Sequence, residues 1–333
     1  MTEYLRRIAF RVATNKSAGK GHFTRCFAVR QRLHCKVSWF VDPGDKAKIG
    51  ALLANDDDVE EEIDAKSALK LIGSLSRGET TLAVCDSYAL KLSSIEEIAD
   101  RTVLVVDDLN IENSKFLLTI CPQPLVVNAA NTLFGPQYLA FSLGRSRQLT
   151  LNWPQGDERL NCLVSFGAVD SKNLTGLVLE SVLKCHELAS RLNFICLVGE
   201  AFRYRTELMQ ISNTHSNVFI KEGLESILDL DMPCHVAFGS PGVSHAERLY
   251  VGIPTILLQQ NNRHCALLDG WTNIGCAIKA QPNPEKIISS IRILLANDGF
   301  VAKQISKTGQ RVVDGLGADR VARVISKMAD EFK

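Results

Sequence analysis

The chain has 333 residues and a mass of 36.7 kDa, with 38 Lys and Arg residues against 37 Asp and Glu residues. This near-neutral balance lacks the excess positive charge that attracts nucleic acids or anionic membranes, so neither is predicted as a partner. Hydrophobic residues make up 46% of the sequence and charged residues 23%, which excludes wholesale disorder. The length favours two domains.

The N-terminus and the cysteines bear on the compartment. No apolar stretch follows the polar N-terminus, and no run of about 18 apolar residues occurs, so neither a signal peptide nor a transmembrane helix is expected. Several of the ten cysteines lie in apolar runs, which is typical of buried free thiols in a cytosolic protein; these are Cys85, Cys162 and Cys196. Without a C-x-x-C pair or zinc-type spacing, neither a metal nor another cofactor is predicted. The sequence predicts a cytoplasmic protein.

In the first half of the chain, short β-rich runs alternate with longer amphipathic segments. The predicted strands are Ile8–Thr14, Lys36–Val41, Thr81–Cys85, Val103–Val106 and Leu125–Val127. The predicted helices are Phe23–Leu33 and Leu92–Ala99. The acidic run Asp56–Asp64 is interpreted as a solvated loop or helix face.

The same alternation returns in the second half. The predicted strands are Asn161–Phe166, Phe194–Val198, Val218–Ile220, His235–Phe238 and Thr255–Leu258. The predicted helices are Leu174–Arg191 and Ser244–Val251. From Pro284 onward the pattern is helical, with an interruption near Gly315 and Gly317.

These patterns predict an α/β protein with two Rossmann-like lobes. Near-continuous apolar strands are typical of parallel sheets covered on both faces, and the repeated βα alternation indicates doubly wound architecture. The predicted boundaries are residues 1–145 for the first lobe, 146–158 for a linker and 159–333 for the second lobe. The linker contains Trp153, Pro154 and Gly156 without clear periodicity. A ligand is expected in a cleft at the carboxyl ends of the strands.

The sequence GKGHFTR, at residues 19–25, directly follows the first predicted strand. Gly19 and Gly21 allow the backbone to approach a ligand, and the following helix start offers amides and its positive dipole end. The motif lacks the third glycine of G-x-G-x-x-G and the Gly-Lys-Ser/Thr of a Walker loop. His22 is therefore a candidate general base. The alternative is a helix-capping turn with an exposed histidine.

A second turn of small residues lies in AFGSPGVSHAE, at residues 237–247. Gly242, Val243 and Ser244 place amides and a hydroxyl at a predicted helix start, which suits a phosphate. Glu247 could accept two hydrogen bonds from a ribose diol. Alternatively, Glu247 only complements the helix dipole.

Acidic residues follow two strands of the first lobe, where they face the predicted cleft. Asp86 and Tyr88 come after one strand, and Asp107 and Asp108 come after another. An Asp in this position is often only the N-cap of the next helix. In the second lobe, Gly167 marks the turn after the first strand.

Taken in order, these motifs resemble the PseG family, the UDP-2,4-diacetamido-2,4,6-trideoxy-β-L-altropyranose hydrolases of pseudaminic acid synthesis, with SpsG-like proteins as neighbours. The residues that carry the resemblance are Arg11 ahead of 19–25, Asp86–Tyr88, Asp107–Leu109, Gly135–Tyr138, Ser165–Gly167 with Asp170, Glu247 with Gly252 and Pro254, and Asp314–Arg320. They extend through nearly the whole chain.

The resemblance implies a GT-B-like fold in which the C-terminal lobe holds most of the nucleotide. It implies metal-independent hydrolysis of a UDP-sugar to UDP and a free deoxy-diacetamido sugar, within nonulosonic acid synthesis. His22 would activate the water, Tyr88 would position the sugar or the water, and Asp86 or Asp107 would support His22. The implied substrate- and nucleotide-binding residues are Gly19, Gly21, Arg25, Gly167, Gly242, Val243, Ser244, Glu247, Asn262 and Arg263.

Some positions depart from the family pattern. Ala13 stands in place of an Asp, Ala168 in place of a Gly, and Arg263 in place of a neutral Gln, where it would add a fixed charge. Residues 241–244 read PGVS where the family has GGST. Two alternatives therefore stay open: a GT-B glycosyltransferase with a UDP-sugar donor, in which His22 activates an acceptor hydroxyl, and a non-catalytic PseG-like sugar-nucleotide-binding protein. The oligomeric state is not predicted.

Overall fold

The structure is a computed structural model that describes residues 7–15, 20–53, 56–106, 115–125, 131–143, 151–154, 156, 158–199, 201–224, 226–261 and 264–332. The chain divides into two compact units. The first consists of Met1–Ser142 together with Gly315–Lys333, and the second of Leu143–Asp314. Each unit contains one parallel sheet with its own hydrophobic core.

The described strands form two sheets. The first sheet contains β1 (Arg7–Val12), β2 (Lys36–Val41), β3 (Asp58–Glu61), β4 (Leu82–Asp86), β5 (Thr102–Val105), β6 (Leu118–Cys121) and β7 (Thr132–Phe134), in the order β3-β2-β1-β4-β5-β6-β7. The second contains β8 (Leu160–Ser165), β9 (Leu192–Val198), β10 (Val218–Glu222), β11 (Val236–Gly239), β12 (Thr255–Leu258) and β13 (Ile278–Ala280), in the order β10-β9-β8-β11-β12-β13.

The described α-helices are α1 (Gly21–Arg30), α2 (Lys46–Gly50), α3 (Leu69–Ser76), α4 (Leu174–Leu183), α5 (His186–Arg191), α6 (Arg205–Thr214), α7 (Val243–Tyr250), α8 (His264–Asn273), α9 (Pro284–Leu295), α10 (Phe300–Val312) and α11 (Gly317–Glu331). Short 3-10 helices cover Leu92–Arg101, Pro136–Tyr138 and Ile227–Asp229. None of the helices in the described part of the chain has the length and apolar content that crossing a bilayer requires.

Strand order reverses at one point in each sheet. In the first sheet β1 lies between β2 and β4, and in the second β8 lies between β9 and β11. In doubly wound sheets, ligands bind beside the carboxyl ends of the strands at such a reversal. The turns after β1 and β4, and after β8 and β11, are therefore the positions at which a site is expected in each unit.

The last helix, α11, belongs to the first unit. Val321 and Ile325 are buried in the same cluster as Phe10 and Trp39, because the amphipathic helix packs its apolar stripe against that core. The predicted second lobe, residues 159–333, therefore differs from the observed unit, which ends at Asp314. Helical periodicity predicted the helix, but it carries no information about which sheet the helix covers.

The acidic run differs from its interpretation as a solvated loop or helix face, because β3 lies within it and pairs with β2. Asp57, just before β3, accepts hydrogen bonds from Arg30 Nε at 2.8 Å and Trp39 Nε1 at 2.9 Å. The buried Trp39 and the half-buried Arg30 hold this run against the sheet. The edge strand itself is rich in carboxylates, so it lacks the apolar signal that predicts strands.

Other elements also differ from the predictions. The segment Leu174–Arg191 forms two helices, α4 and α5, and Leu92–Arg101 is a 3-10 helix. The predicted strand Leu125–Val127 is not found at Leu125, and its other residues lie outside the described part of the chain. In the described part of the predicted linker, Trp153 packs against the second core, and a side chain at Gly299 would collide with its ring.

The prediction of buried free thiols is confirmed for Cys85, Cys162 and Cys196. Burial raises the pKa of Cys85 and of Cys196 to about 12. At such a pKa the reactive thiolate is scarce at neutral pH, so these side chains serve packing rather than nucleophilic chemistry.

Candidate functional site

The carboxyl ends of β1 and β4 lie side by side in the first unit. The two strands are parallel, and Val12 pairs with Asp86 at their ends. Helix α1, which follows β1, begins at Gly21, so His22 lies in its first turn. The sequence therefore brings the histidine of the glycine-containing motif to the end of the strand that carries Asp86.

His22, Arg25 and Asp86 form one hydrogen-bonded cluster. His22 Nδ1 lies 2.5 Å from Asp86 Oδ1. Arg25 donates from Nε to Oδ2 at 2.5 Å and from Nη2 to Oδ1 at 2.6 Å. Because His22 and Arg25 are three residues apart on α1, they share the helix face that meets β4. Asp86 is fully buried, and His22 and Arg25 are 3% and 6% exposed.

The charges of the cluster determine its protonation. Burial on its own would raise the pKa of Asp86, but the charge of Arg25 and the hydrogen bonds from Arg25 and His22 outweigh burial and lower it. An ionised Asp86 accepts a proton-bearing Nδ1, which leaves Nε2 of a neutral His22 with its lone pair. Among the residues that the structure describes, no group forms a hydrogen bond with Nε2. The ring can therefore accept a proton at Nε2.

Tyr88 lies directly against His22. The two rings meet edge to face, with centroids 4.4 Å apart and planes at 81°. The hydroxyl of Ser87 accepts hydrogen bonds from the amides of Ala89 and Leu90 at 3.2 and 3.3 Å, which fixes the turn that carries Tyr88. Tyr88 is 46% exposed, so it presents an aromatic surface to solvent beside the buried histidine. The three predicted catalytic residues thus come together.

A second buried ion pair organises the chain leading to α1. Arg11 donates from Nη2 to Asp42 Oδ1 at 2.8 Å, and Asp42 accepts from the amides of Thr14 and Asn15 at 2.9 and 3.1 Å. Burial would raise the pKa of Asp42, but the Thr14 and Asn15 amides and the Arg11 charge together lower it. Ala13, which precedes Thr14 in the chain, is fully buried. Asp42 was not predicted from the sequence, although it directly follows β2 and therefore lies at the carboxyl end of a strand, where site residues are expected.

Several predicted positions lie outside the described part of the chain; these are Gly19, Asp107, Asp108, Asn262 and Arg263. Within the described residues, no group of three or more His, Cys, Asp or Glu side chains is arranged to hold a metal ion.

In the second unit, the turns after β8 and β11 are joined by one side chain. Gln260 donates from Nε2 to the carbonyl of Phe166 and to Ser240 Oγ, each at 2.5 Å. Gly167, the next residue after Phe166, has a φ of +83°, which favours glycine. The predicted residues Gly167 and Gly242 therefore lie on neighbouring turns of the same sheet edge.

The β11–α7 turn leaves room at the start of the helix. Gly242 is the N-cap of α7 and no side chain caps its amides. A Cβ at Gly242 would meet nothing within 4 Å. Val243 and Ser244, the first residues of α7, are half-buried. An uncapped helix start with open space and a positive dipole end suits a phosphate group.

Glu247 lies one turn into α7 and is nearly buried. Its Oε1 accepts from Ser226 Oγ at 2.8 Å and its Oε2 from the amide of Ile227 at 3.4 Å. Burial raises the pKa of Glu247 to about 7, although these two hydrogen bonds act in the opposite direction. The predicted ribose contact therefore requires a diol to reach a carboxylate that already holds the loop at Ser226.

Sequence reasoning missed Arg248, the neighbour of Glu247. It is fully buried and donates to Thr255 Oγ1 at 3.1 Å and to the Ser240 carbonyl at 2.9 Å. A side chain at Gly239 would lie 2.6 Å from its guanidinium, so the glycine makes room for the arginine. Burial lowers the pKa of Arg248 to about 9. The sequence shows only a charged residue within a predicted helix, which does not indicate that its guanidinium binds the Ser240 carbonyl in the β11–α7 turn.

Comparison with known proteins gives one curated relative and many similar folds. No family model matches the chain. An uncharacterized protein of Methanocaldococcus jannaschii, MJ1062, is 28% identical over 204 residues, which is 49% of this chain and 42% of that protein. The chain thus spans less than half of that relative's length.

Three solved structures resemble nearly the whole chain. MurG of Acinetobacter baumannii has a TM-score of 0.73 at 13% identity, covering 97% of this chain and 99% of that one. MnaA of S. aureus, solved with UDP, has a TM-score of 0.68 at 11% identity, covering 98% and 97%. Spinosyn rhamnosyltransferase SpnG, solved with thymidine diphosphate, has a TM-score of 0.66 at 15% identity, covering 96% and 100%.

At these identities the similarity concerns the fold. The solved structures do not single out the PseG family. Together with the two parallel sheets, they confirm the predicted fold class: the chain is an α/β protein with the GT-B-like fold, built from two Rossmann-like lobes.

Proposed function

We propose that this chain is a glycosyltransferase that uses a nucleotide sugar, with UDP as the nucleotide, as its donor. The observation that carries the proposal is the 2.5 Å contact between His22 Nδ1 and Asp86 Oδ1, which leaves Nε2 to act as a general base. Two of the similar folds were solved with UDP or thymidine diphosphate, and one of these is a rhamnosyltransferase. These likenesses support a nucleotide sugar as the substrate class.

The proposed step cleaves the anomeric C–O bond of the donor. Positive charge develops on the sugar and negative charge on the departing diphosphate, and the enzyme must stabilise both. His22 takes the proton of the acceptor hydroxyl as that oxygen bonds to the anomeric carbon, which contributes about 10²- to 10⁴-fold. Asp86 stabilises the imidazolium that forms.

We assign nucleotide binding to the second unit. The amides of Gly242, Val243 and Ser244 at the start of α7 would hold the diphosphate, as helix N-termini do. Glu247 would accept hydrogen bonds from the ribose diol. The support is local: an uncapped helix start with open space at Gly242 and a carboxylate one turn further on.

The second candidate is hydrolysis of a UDP-linked deoxy-diacetamido sugar, in which water replaces the acceptor. It is favoured by the contact of Tyr88 with His22, because both residues belong to the motif series that resembles the PseG family. Tyr88 would position the sugar or the water, and the products would be UDP and the free sugar. A third candidate is a protein that binds a sugar nucleotide without turning it over.

One experiment separates the three candidates. The protein is incubated with UDP-GlcNAc, UDP-glucose and a UDP-linked deoxy-diacetamido sugar, with and without sugar acceptors, and UDP and the sugar products are followed by NMR. UDP formed only with an acceptor supports transfer, and UDP with free sugar in both arms supports hydrolysis. Binding without release supports the non-catalytic candidate. Neither binding nor release with any donor contradicts all three. A His22→Gln sample is the control for contaminating activity.

A further inference from the structure

We infer that Arg25 is a positioning residue whose guanidinium fixes Asp86 and, through it, the ring orientation and tautomer of His22. The inference rests on the proposed function, because it gives His22 the role of base. It also reassigns Arg25, which sequence reasoning placed among the substrate- and nucleotide-binding residues. A ligand-binding arginine directs its guanidinium toward the ligand, whereas a positioning arginine directs it toward the residue that it orients, here Asp86.

The geometry is that of a fork on a carboxylate. Nε and Nη2 of Arg25 each donate to a different oxygen of Asp86, at 2.5 and 2.6 Å. Two parallel hydrogen bonds fix the plane of the carboxylate, which a lysine ammonium cannot do. Because Oδ1 also receives His22 Nδ1, fixing that plane fixes the direction from which the imidazole is held. Arg25 therefore acts on His22 through Asp86.

The charge balance of the cluster agrees with this role. Arg25 and Asp86 form an ion pair without net charge, so a neutral His22 can be buried beside them at low cost. Without Arg25, Asp86 would be an unpaired buried charge beside His22. The Asp86 carboxylate would then become protonated or bind water. The arginine thus keeps Asp86 as a hydrogen-bond acceptor, which is the form that selects the proton on Nδ1.

The surroundings of the fork keep bulk water away. A small pocket of about 20 Å³ borders Arg25 and Asp86 and is otherwise lined mainly by apolar side chains, among them Val321 and Ile325 of α11. Its volume suits about one water molecule. In such surroundings hydrogen bonds are stronger than in water, and a carboxylate has few alternative partners. The cluster is thereby restricted to one arrangement.

The test compares two arginines of the same helix. Arg30, also on α1, likewise pairs with a single carboxylate: its Nε donates to both oxygens of Asp57 at 2.8 and 2.9 Å, and its Nη2 lies 2.6 Å from Oδ1. Arg25→Lys and Arg30→Lys therefore remove the same chemistry from α1, and only the first affects the partner of His22. The two readouts are the ¹⁵N shifts of the His22 ring in the free protein and steady-state kinetics with whichever nucleotide sugar the incubation experiment shows to be turned over.

For Arg25→Lys we expect loss of the single Nδ1–H tautomer and a fall in kcat of about 10- to 100-fold, with KM changed less than about threefold. Arg30→Lys should keep the tautomer and kcat. A wild-type tautomer and kcat in Arg25→Lys would overturn the inference. So would a raised KM with unchanged kcat, because that result indicates a ligand contact.

Two further measurements keep the test decisive. If Arg25→Lys does not fold, the double variant Arg25→Met with Asp86→Asn leaves no unpaired buried charge and should fold, with the tautomer preference lost. Retention of the preference there would overturn the inference. If the wild-type protein turns over no nucleotide sugar, the proposed function fails, but the ¹⁵N shifts still decide whether Arg25 positions His22.

Discussion

Oδ1 of Asp86 accepts hydrogen bonds from two side chains at once, since it lies 2.5 Å from His22 Nδ1 and 2.6 Å from Arg25 Nη2. This oxygen atom thereby links His22, the proposed base, to Arg25. Among the residues that the structure describes, Arg25 is the only cation in direct contact with His22. The link joins stability to function, because any change at Asp86 releases a buried guanidinium as well as an imidazole.

Replacement of Asp86 should therefore destabilise the protein strongly. In Asp86→Asn, Arg25 stays buried without a counter-charge, and we expect a loss of about 3–5 kcal/mol in the free energy of unfolding. Urea denaturation measures it. The control is Asp319→Asn, which removes an exposed partner 3.5 Å from Arg32 and should cost less than about 1 kcal/mol. Equal losses in the two variants would contradict the account of the cluster.

Glu247 should make stability depend on pH. Its pKa is raised by burial to about 7 in the folded protein, against about 4.3 for an unfolded Glu. A folded state that binds the proton more tightly is most stable below the unfolded pKa, and that contribution is lost as pH rises through about 7.

In Glu247→Gln the side chain no longer titrates, so the free energy of unfolding should fall less between pH 5 and pH 8 than in the wild type. The difference is on the order of 1–3 kcal/mol. Urea denaturation at the two pH values measures it, with the exposed Glu180→Gln as the control. The same pH dependence in wild type and Glu247→Gln would show that this carboxyl is not the source.

The same variant tests the proposed ribose contact. Loss of a charge-assisted hydrogen bond to the diol should weaken UDP binding by about 1–3 kcal/mol, measured by calorimetry at pH 8, where Glu247 is mostly ionised. Unchanged UDP affinity would reject that role while leaving the stability result intact.

Gly242 offers a test of the phosphate position that spares the fold. Its backbone suits any residue and a Cβ there meets nothing within 4 Å, so Gly242→Ala should fold and lose at most about 1 kcal/mol in the free energy of unfolding, the cost of alanine at an N-cap. If a diphosphate binds against the start of α7, the added methyl group occupies its space and UDP affinity should fall at least about tenfold, or 1.4 kcal/mol. Gly50→Ala, also in open space, should leave affinity unchanged. Full affinity in Gly242→Ala would exclude that position.

Because α11 packs against the core of the first unit, a mutation on its buried face should strongly lower the free energy of unfolding. Ile325 is fully buried against that core, so Ile325→Ala should cost about 2–5 kcal/mol of unfolding free energy. Lys327→Ala, on the exposed face of α11, should change it by less than about 0.5 kcal/mol. Both are measured by urea denaturation. A small effect of Ile325→Ala would mean that α11 does not pack as described.

Most central strands could be predicted from the sequence, and the edges could not. β1, β4 and β8 are near-continuous apolar runs because both faces of a parallel sheet are covered. The edge strand β3 reads DVEE, and its position depends on Asp57 pairing with Arg30 and Trp39, which are distant in sequence. The destination of α11 likewise depends on tertiary packing.

The site residues could be predicted from the sequence where their position after a strand or within a motif determines their place in the fold. His22 after β1 and Asp86 at the end of β4 follow from the sequence, because the carboxyl ends of neighbouring parallel strands meet. Their shared partner Arg25 was identified, but its orientation toward Asp86 rather than toward solvent depends on side-chain geometry. Arg248 was missed because a buried arginine is rare without a visible partner.

The most direct test of the central claim is the rate of UDP release by wild type and His22→Gln at saturating donor, with UDP affinity measured in parallel. The account predicts that His22→Gln binds UDP as the wild type does, while release falls at least about 100-fold because the base is lost. His34→Gln, an exposed histidine of the same unit, should behave as the wild type. Release by His22→Gln at the wild-type rate would contradict the claim.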